Sequence, residues 1–132
     1  MNQEALDLWT RACRSHQTSS LLTRVDPDAA ASRAYYAAFY AVSALFALQG
    51  KTFTKHAALE AAVHRDLVKT GIWTEHLGSA FSWLAGLRKT GDYIIGVHVS
   101  PEEAEEAVRK ADRMLQAVRD SSPEPFPEVE FK

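Results

Sequence analysis

Three groups of side chains in this sequence have the types and spacing to do chemistry. Arg88, Asp92 and Tyr93 stand at i, i+4 and i+5. On a helix the aspartate can pair with the arginine, and the phenol can donate to whatever anion the arginine holds. Arg33, Tyr36 and Tyr40 stand at i, i+3 and i+7, so a charge and two hydroxyls share one helical stripe. Lys55 and His56 are adjacent at the expected start of a helix, where the dipole disfavours an imidazolium and His56 reads as neutral. Arginine, tyrosine and neutral imidazole suit the binding of a phosphate-like anion or the stabilisation of charge developing on one. The bland alternative is a buried Arg–Asp pair that staples a helix end and phenols that merely find partners. Residue types alone favour that alternative.

Other chemistries lack their residues. The histidines at 16, 56, 64, 76 and 98 form no H-E-x-x-H or comparable ligand spacing, and Cys13 is the only cysteine. There is no G-x-S-x-G and no glycine-rich phosphate loop. Neither metal nor cofactor is expected. Net charge is −2, with no global pull toward nucleic acid or membrane. Residues 29–98 hold seven Lys/Arg against four Asp/Glu, whereas residues 99–132 hold five against nine. A basic middle beside an acidic end hints weakly at an anionic ligand near the middle. The N-terminus, MNQEALDLW, has neither a basic segment nor an apolar one, so a reducing, cytoplasmic setting is expected.

The elements that must position these groups read as helices. Residues 34–48 carry only Ser43 and tyrosine hydroxyls as polar groups, so this helix is expected to be buried on all sides. The stretch is too short for a membrane span, which needs about 20 apolar residues. Asp26, Pro27 and Asp28 suit its N-cap and first turn, and Gly50 suits the C′ position that ends it. Nine alanines between residues 29 and 47 keep it thin.

A first helix from about Asn2 to Gln17 carries the stripe Ala5, Trp9, Ala12 and His16. The connector from Thr18 to Val25 can prolong it or fray. A third helix from about Lys55 to Lys69, capped by Thr54, carries Leu59, Val63 and Leu67. Thr74 starts a fourth, with Leu77, Phe81 and Leu84 leading to Arg88. An arginine on that stripe needs partners to offset its desolvation. Gly91 and Gly96 should loosen the backbone around Asp92 and Tyr93, and residues 93–99 are the one candidate strand. Ser100, Pro101 and Glu103 form a capping box for the last helix. Its buried face reads Ala104, Ala107, Val108, Ala111, Leu115 and Val118, with Glu105–Arg109 and Glu106–Lys110 pairs outside. These elements predict an all-α fold: an antiparallel four-helix up-and-down bundle with an additional short helix. Residues 1–120 form the domain. Residues 121–132 form an extended acidic, Pro-rich tail, open to motion, whose Phe126, Val129 and Phe131 can dock on a neighbour.

The order S-R-A-Y-Y-A-A-F-Y, then K-H, then R-x-x-x-D-Y, then S-x-E-x-A resembles the HEPN superfamily over about residues 5–119. It is most similar to compact stand-alone prokaryotic members. The resemblance implies a homodimer, often a toxin-like, metal-independent RNase paired with a minimal nucleotidyltransferase antitoxin. In that family an R-x4-6-H signature supplies an arginine for the phosphate and a histidine that helps activate the RNA 2′-hydroxyl, in a cleft closed by both protomers. Arg88 matches the arginine, but Tyr93, Ile94 and Ile95 occupy the histidine positions. A tyrosine, with an ordinary pKa of about 10, is a poor general base at neutral pH. Arg11 and His16 form an R-x4-H on the first helix, yet residues five apart lie about 140° apart around it. The expectation is an RNA- or nucleotide-binding cleft in which Arg88, Tyr93 and Asp92 are the candidate catalytic groups and Arg33, Tyr36, Lys55 and His56 the binding groups, with metal-independent RNase activity left open. The alternative is a non-catalytic dimeric interaction module for a nucleotidyltransferase.

Overall fold

Four helices in this protein start on a short polar side chain that takes a first-turn amide, each such cap contributing about 1 kcal/mol. Asn2 accepts from Ala5 N at 2.7 Å, Asp26 from Ala29 N at 3.2 Å, Thr74 from Leu77 N at 3.2 Å and Ser100 from Glu103 N at 3.1 Å. The computed structural model describes residues 1–129 and gives α1 (Gln3–Leu22), α2 (Pro27–Ala47), α3 (His56–Ala62), α4 (Glu75–Tyr93) and α5 (Pro101–Ser121). Among the described residues there is no strand: Tyr93 is the last residue of α4, and 94–99 is loop. The fold is the expected all-α bundle of four long helices and a short one.

Contacts at the helix ends set the directions. Asn2 Nδ2 donates to Ala47 O at 3.1 Å and Ser19 Oγ to Ala30 O at 2.7 Å, so α1 and α2 run antiparallel. Val99 N donates to Asp28 Oδ1 at 2.7 Å, placing the start of α5 beside the start of α2. Trp73 Nε1 donates to Ser121 Oγ at 2.9 Å, placing the end of α5 beside the start of α4. The ends of α1 and α4 and the starts of α2 and α5 therefore share one end of an up-down-up-down bundle. Fourteen of the 21 residues of α2 are buried, which makes it the central rod. Its alanines and the Ala5, Ala12, Ser15 and Ser19 face of α1 let the two backbones approach closely. Lys51 N to Phe46 O (3.1 Å), Gly50 N to Ala47 O (3.1 Å) and φ +74° at Gly50 make the C-terminal cap that the glycine suited.

Several local expectations needed correction. Of the two readings of the Thr18–Val25 connector, prolongation holds: α1 continues through Ser19, whose hydroxyl is satisfied by α2, to Leu22. The N-cap of α3 is Lys55 rather than Thr54, and it makes no side-chain cap. α3 passes into a π-helical segment, Val63–Val68. An α-helix rotates a residue eight positions on by about 80°, and the wider winding keeps Leu67 buried alongside Leu59 and Val63. Gly91 lies inside α4 and does not loosen it. A Cβ there would stand 3.2–3.3 Å from the Asp28 O, Cα and Oδ1 atoms, so the glycine lets α4 press against the start of α2. On α5 Met114 replaces the half-buried Val108 in the core. Glu105 pairs with Arg24 at 2.6 Å rather than Arg109, while Glu106 gathers Arg109, Lys110 and Arg113. Phe126 is buried and stacks on Trp9 at 4.8 Å, and Trp9 Nε1 donates to Pro127 O at 2.7 Å. Val129 also packs on the core; Phe131 lies outside the described residues. No helix among the described residues is long and apolar enough to cross a membrane.

Candidate functional site

Phe81, Leu84 and Arg88 follow one stripe of α4 into the bundle, and the arginine arrives 9% exposed. Its partners come from three places. Nη2 donates to Tyr93 Oη at 2.8 Å and to Tyr36 Oη at 3.2 Å. Nε stands 3.3 Å from Asp92 Oδ2, an ion pair whose geometry falls short of a hydrogen bond, so Nε remains a buried donor without a partner. Asp92 is held in turn by Ser32 Oγ, which donates to Oδ2 at 3.3 Å. The guanidinium carbon sits 5.2–5.4 Å from the ring centres of Tyr35, Tyr36 and Tyr93. Three phenol rings and the Asp92 carboxylate thus face the buried guanidinium.

Tyr35 was not singled out in the sequence, yet it couples His56 to this cluster. Its buried hydroxyl meets His56 Nδ1 at 2.7 Å. The imidazole also stacks on Phe39 at 4.8 Å and meets Tyr36 edge-on at 5.6 Å. Burial first, and the Arg88 charge second, hold the His56 pKa below the usual histidine range. Burial pushes the Tyr35 hydroxyl well above the ordinary tyrosine value, against the opposing pull of Arg88. Tyr35 thus stays protonated and His56 neutral at pH 7. With the Tyr35 hydroxyl donating to Nδ1, the His56 proton sits on Nε2; in the other tautomer Nδ1 donates to the phenol oxygen and Nε2 is the open acceptor.

The Tyr36 and Tyr93 oxygens already accept from Arg88, so their own hydrogens are available to another acceptor. The cluster therefore offers two phenol donors beside a fixed positive charge, with an imidazole N–H nearby. That is a donor set for an anion.

Arg33 reaches the same cluster, its guanidinium carbon 4.8 Å from the Tyr36 ring centre, and Tyr40 lies 5.7 Å from Tyr36 centre to centre. Lys55 is exposed; its carbonyl accepts from Leu59 N at 3.2 Å, and its side chain forms no ion pair or hydrogen bond among the described residues. The two R-x4-H partners on α1 separate as helix geometry requires. Arg11 faces α2, while His16 faces α5, 3.9 Å from Asp112 Oδ1. His98 is not in the cluster; its Nδ1 meets Asp28 Oδ2 at 2.8 Å. Burial favours the neutral Asp28 carboxyl, but the Val99 amide, the His98 hydrogen bond and its charge outweigh that and hold the pKa low. Asp28 so ties the 94–99 loop to α2 close to Arg88. Cys13 is not a nucleophile here, because burial raises its pKa to about 11. Among the described residues no three His, Cys, Asp or Glu side chains group as metal ligands.

The bundle and the arginine at the end of α4 define a class that comparison with known proteins makes specific. The HEPN domain family matches residues 5–121, nearly the whole described chain. A UPF0332 protein of Thermotoga maritima is 36% identical over 118 residues, covering 88% of this chain and 89% of that protein. The chain belongs to the HEPN family.

Proposed function

We propose that this HEPN protein binds RNA, or a ribonucleotide as its minimal unit, with Arg88 holding a phosphate. The observation that carries this reading is the unspent hydrogen-bonding capacity around Arg88: two phenols that accept from the guanidinium and retain their own hydrogens. In the free protein water takes these hydrogens, Tyr93 being 65% exposed, and a phosphate would displace that water. Tyr36 and Tyr93 donate to phosphate oxygens, Asp92 orients Arg88, His56 contributes Nε2–H, and Arg33 and Lys55 supply charge. The same geometry favours binding over cleavage, because Tyr93 stands where the family's histidine is expected. Anisotropy titration with labelled RNA, together with a cleavage assay, tests the reading. Wild type should bind saturably and Arg88→Ala should lose about a hundredfold in affinity. Equal affinity in both proteins would refute the site. Cleavage that survives in Arg88→Ala would place any nuclease elsewhere or in a contaminant.

A second reading has its own observation. Tyr93, Ile94, Ile95 and Val97 are 65%, 50%, 100% and 49% exposed, an apolar run beside Arg88. Such a run suits an interface. It supports a dimeric module that engages a nucleotidyltransferase partner in a toxin–antitoxin pair, and it is compatible with RNA binding. Sedimentation of the wild type and of Ile95→Asp tests it. A dimer that Ile95→Asp converts to monomer would favour this reading, and a wild-type monomer that purifies without a partner would not.

A further inference from the structure

We infer that the cleft between α1 and α2 is a second anion subsite, one that carries the backbone of single-stranded RNA away from Arg88. The cleft encloses about 400 Å³ and is lined by Arg11, Arg14, Ser15, Thr18, Arg33 and Tyr40. Half of that lining is arginine and none of it is acidic. Arg11 has Asp7 one turn away at 3.3 Å, but both side chains are about 60% exposed, and such pairs exchange readily for a phosphate. Arg11 and Arg14, three residues apart on α1, face the cleft from one wall, and Arg33 faces it from α2.

The cleft is one side chain away from the Arg88 cluster. Arg88 Nη2 bonds Tyr36, Arg33 lies on the Tyr36 ring, and Tyr36 meets Tyr40. Cations and aromatic rings therefore alternate along a continuous path from Arg88 into the cleft. Arginines that track a backbone and a half-exposed ring on which a base can stack are the two devices by which proteins hold single strands without reading sequence. The Tyr40 ring favours a polynucleotide over an acidic peptide, which offers charge without bases. This inference rests on the Arg88 reading for the origin of the path and goes beyond it in assigning a ligand longer than one nucleotide.

The test compares uridine monophosphate with a labelled oligouridylate of about ten nucleotides, on wild type, Arg11→Gln/Arg14→Gln and Arg88→Ala. Arg11 and Arg14 are exposed, and a thermal melt checks that the double variant keeps the fold. It should bind the oligomer about tenfold more weakly and keep monophosphate affinity within about twofold. The slope of log affinity against log salt should fall in magnitude by about 1.4, two phosphate contacts on a single strand. With 4-thiouridine in the oligomer, the unaltered protein should cross-link at or beside Tyr40. Unchanged oligomer affinity and salt slope in the double variant, cross-links confined away from α1 and α2, or full competition by polyglutamate would each overturn the second subsite while leaving Arg88 standing. Oligomer binding that survives Arg88→Ala but is lost in the double variant would uphold the cleft and remove the Arg88 reading. A wild type that binds neither probe would remove both.

Discussion

Two places in this bundle bring aromatic rings against polar groups, and they finish differently. At the tail, Phe126 stacks on Trp9, and the indole N–H is consumed by Pro127 O. Every polar atom in that contact has its partner, and the product is a latch between the chain's two ends. At Arg88, three phenols surround a guanidinium, but two of them accept without spending their hydrogens, and Nε has an ion pair with Asp92 but no hydrogen-bond partner. The first arrangement is closed to a ligand and the second is open to one. Burial does not separate the two, since Phe126 and Arg88 are both buried. Leftover hydrogen-bonding capacity does.

The comparison breaks if stability and binding fail together. The largest effect on stability should come from Phe126→Ala, which removes a buried ring and should cost about 3 kcal/mol. Denaturant melts measure that loss, and RNA affinity at temperatures where the variant is folded should not change. Arg88→Ala should reverse the pattern, with binding weakened by about 2–3 kcal/mol and a smaller loss of stability, because its phenol partners can turn to water. Gly91→Val should affect both. Its side chain would push against Asp28 on α2, costing about 1–3 kcal/mol and displacing the helix end that carries Arg88 and Asp92. Tyr36→Phe and Tyr93→Phe each delete one donor and should weaken binding by about 1 kcal/mol, separating the hydroxyl from the ring.

The smallest effect is pH-dependent. His56 has a depressed folded-state pKa, so between that value and about 6.5 the unfolded chain binds the extra proton. Its contribution to stability is therefore full above about pH 6.5 and is lost as pH falls through the folded value. His56→Gln should flatten this part of the pH–stability curve. An unchanged slope would mean that the imidazole is not buried against Tyr35 and Phe39 as described.

Much of the scaffold was legible because it is governed by local rules. Asp26, Thr74 and Ser100 cap helices where short polar side chains precede apolar periodicity, and Gly50 ends α2 because it can take positive φ. Arg88 was legible as an outlier, a charge on an apolar stripe. The connection of His56 to it was not. Tyr35 lies in a run that reads simply as buried, and only the third dimension brings residue 56 to residue 35. The π-helical turn after α3 was hidden for a similar reason, since a six-residue change of winding leaves the apolar spacing intact. The tail reads as disorder-prone from its prolines and glutamates. One buried phenylalanine, opposite a tryptophan 117 positions away in sequence, was sufficient to dock it.

The most direct measurement follows side-chain NMR signals during titration with a ribonucleotide. The Arg88 guanidinium and the Tyr36 and Tyr93 rings should shift together and saturate, while the Trp9 indole and the Phe126 ring stay where they are. Saturable shifts at Trp9 and Phe126 with a stationary Arg88 would contradict the assignment of the open cluster as the site.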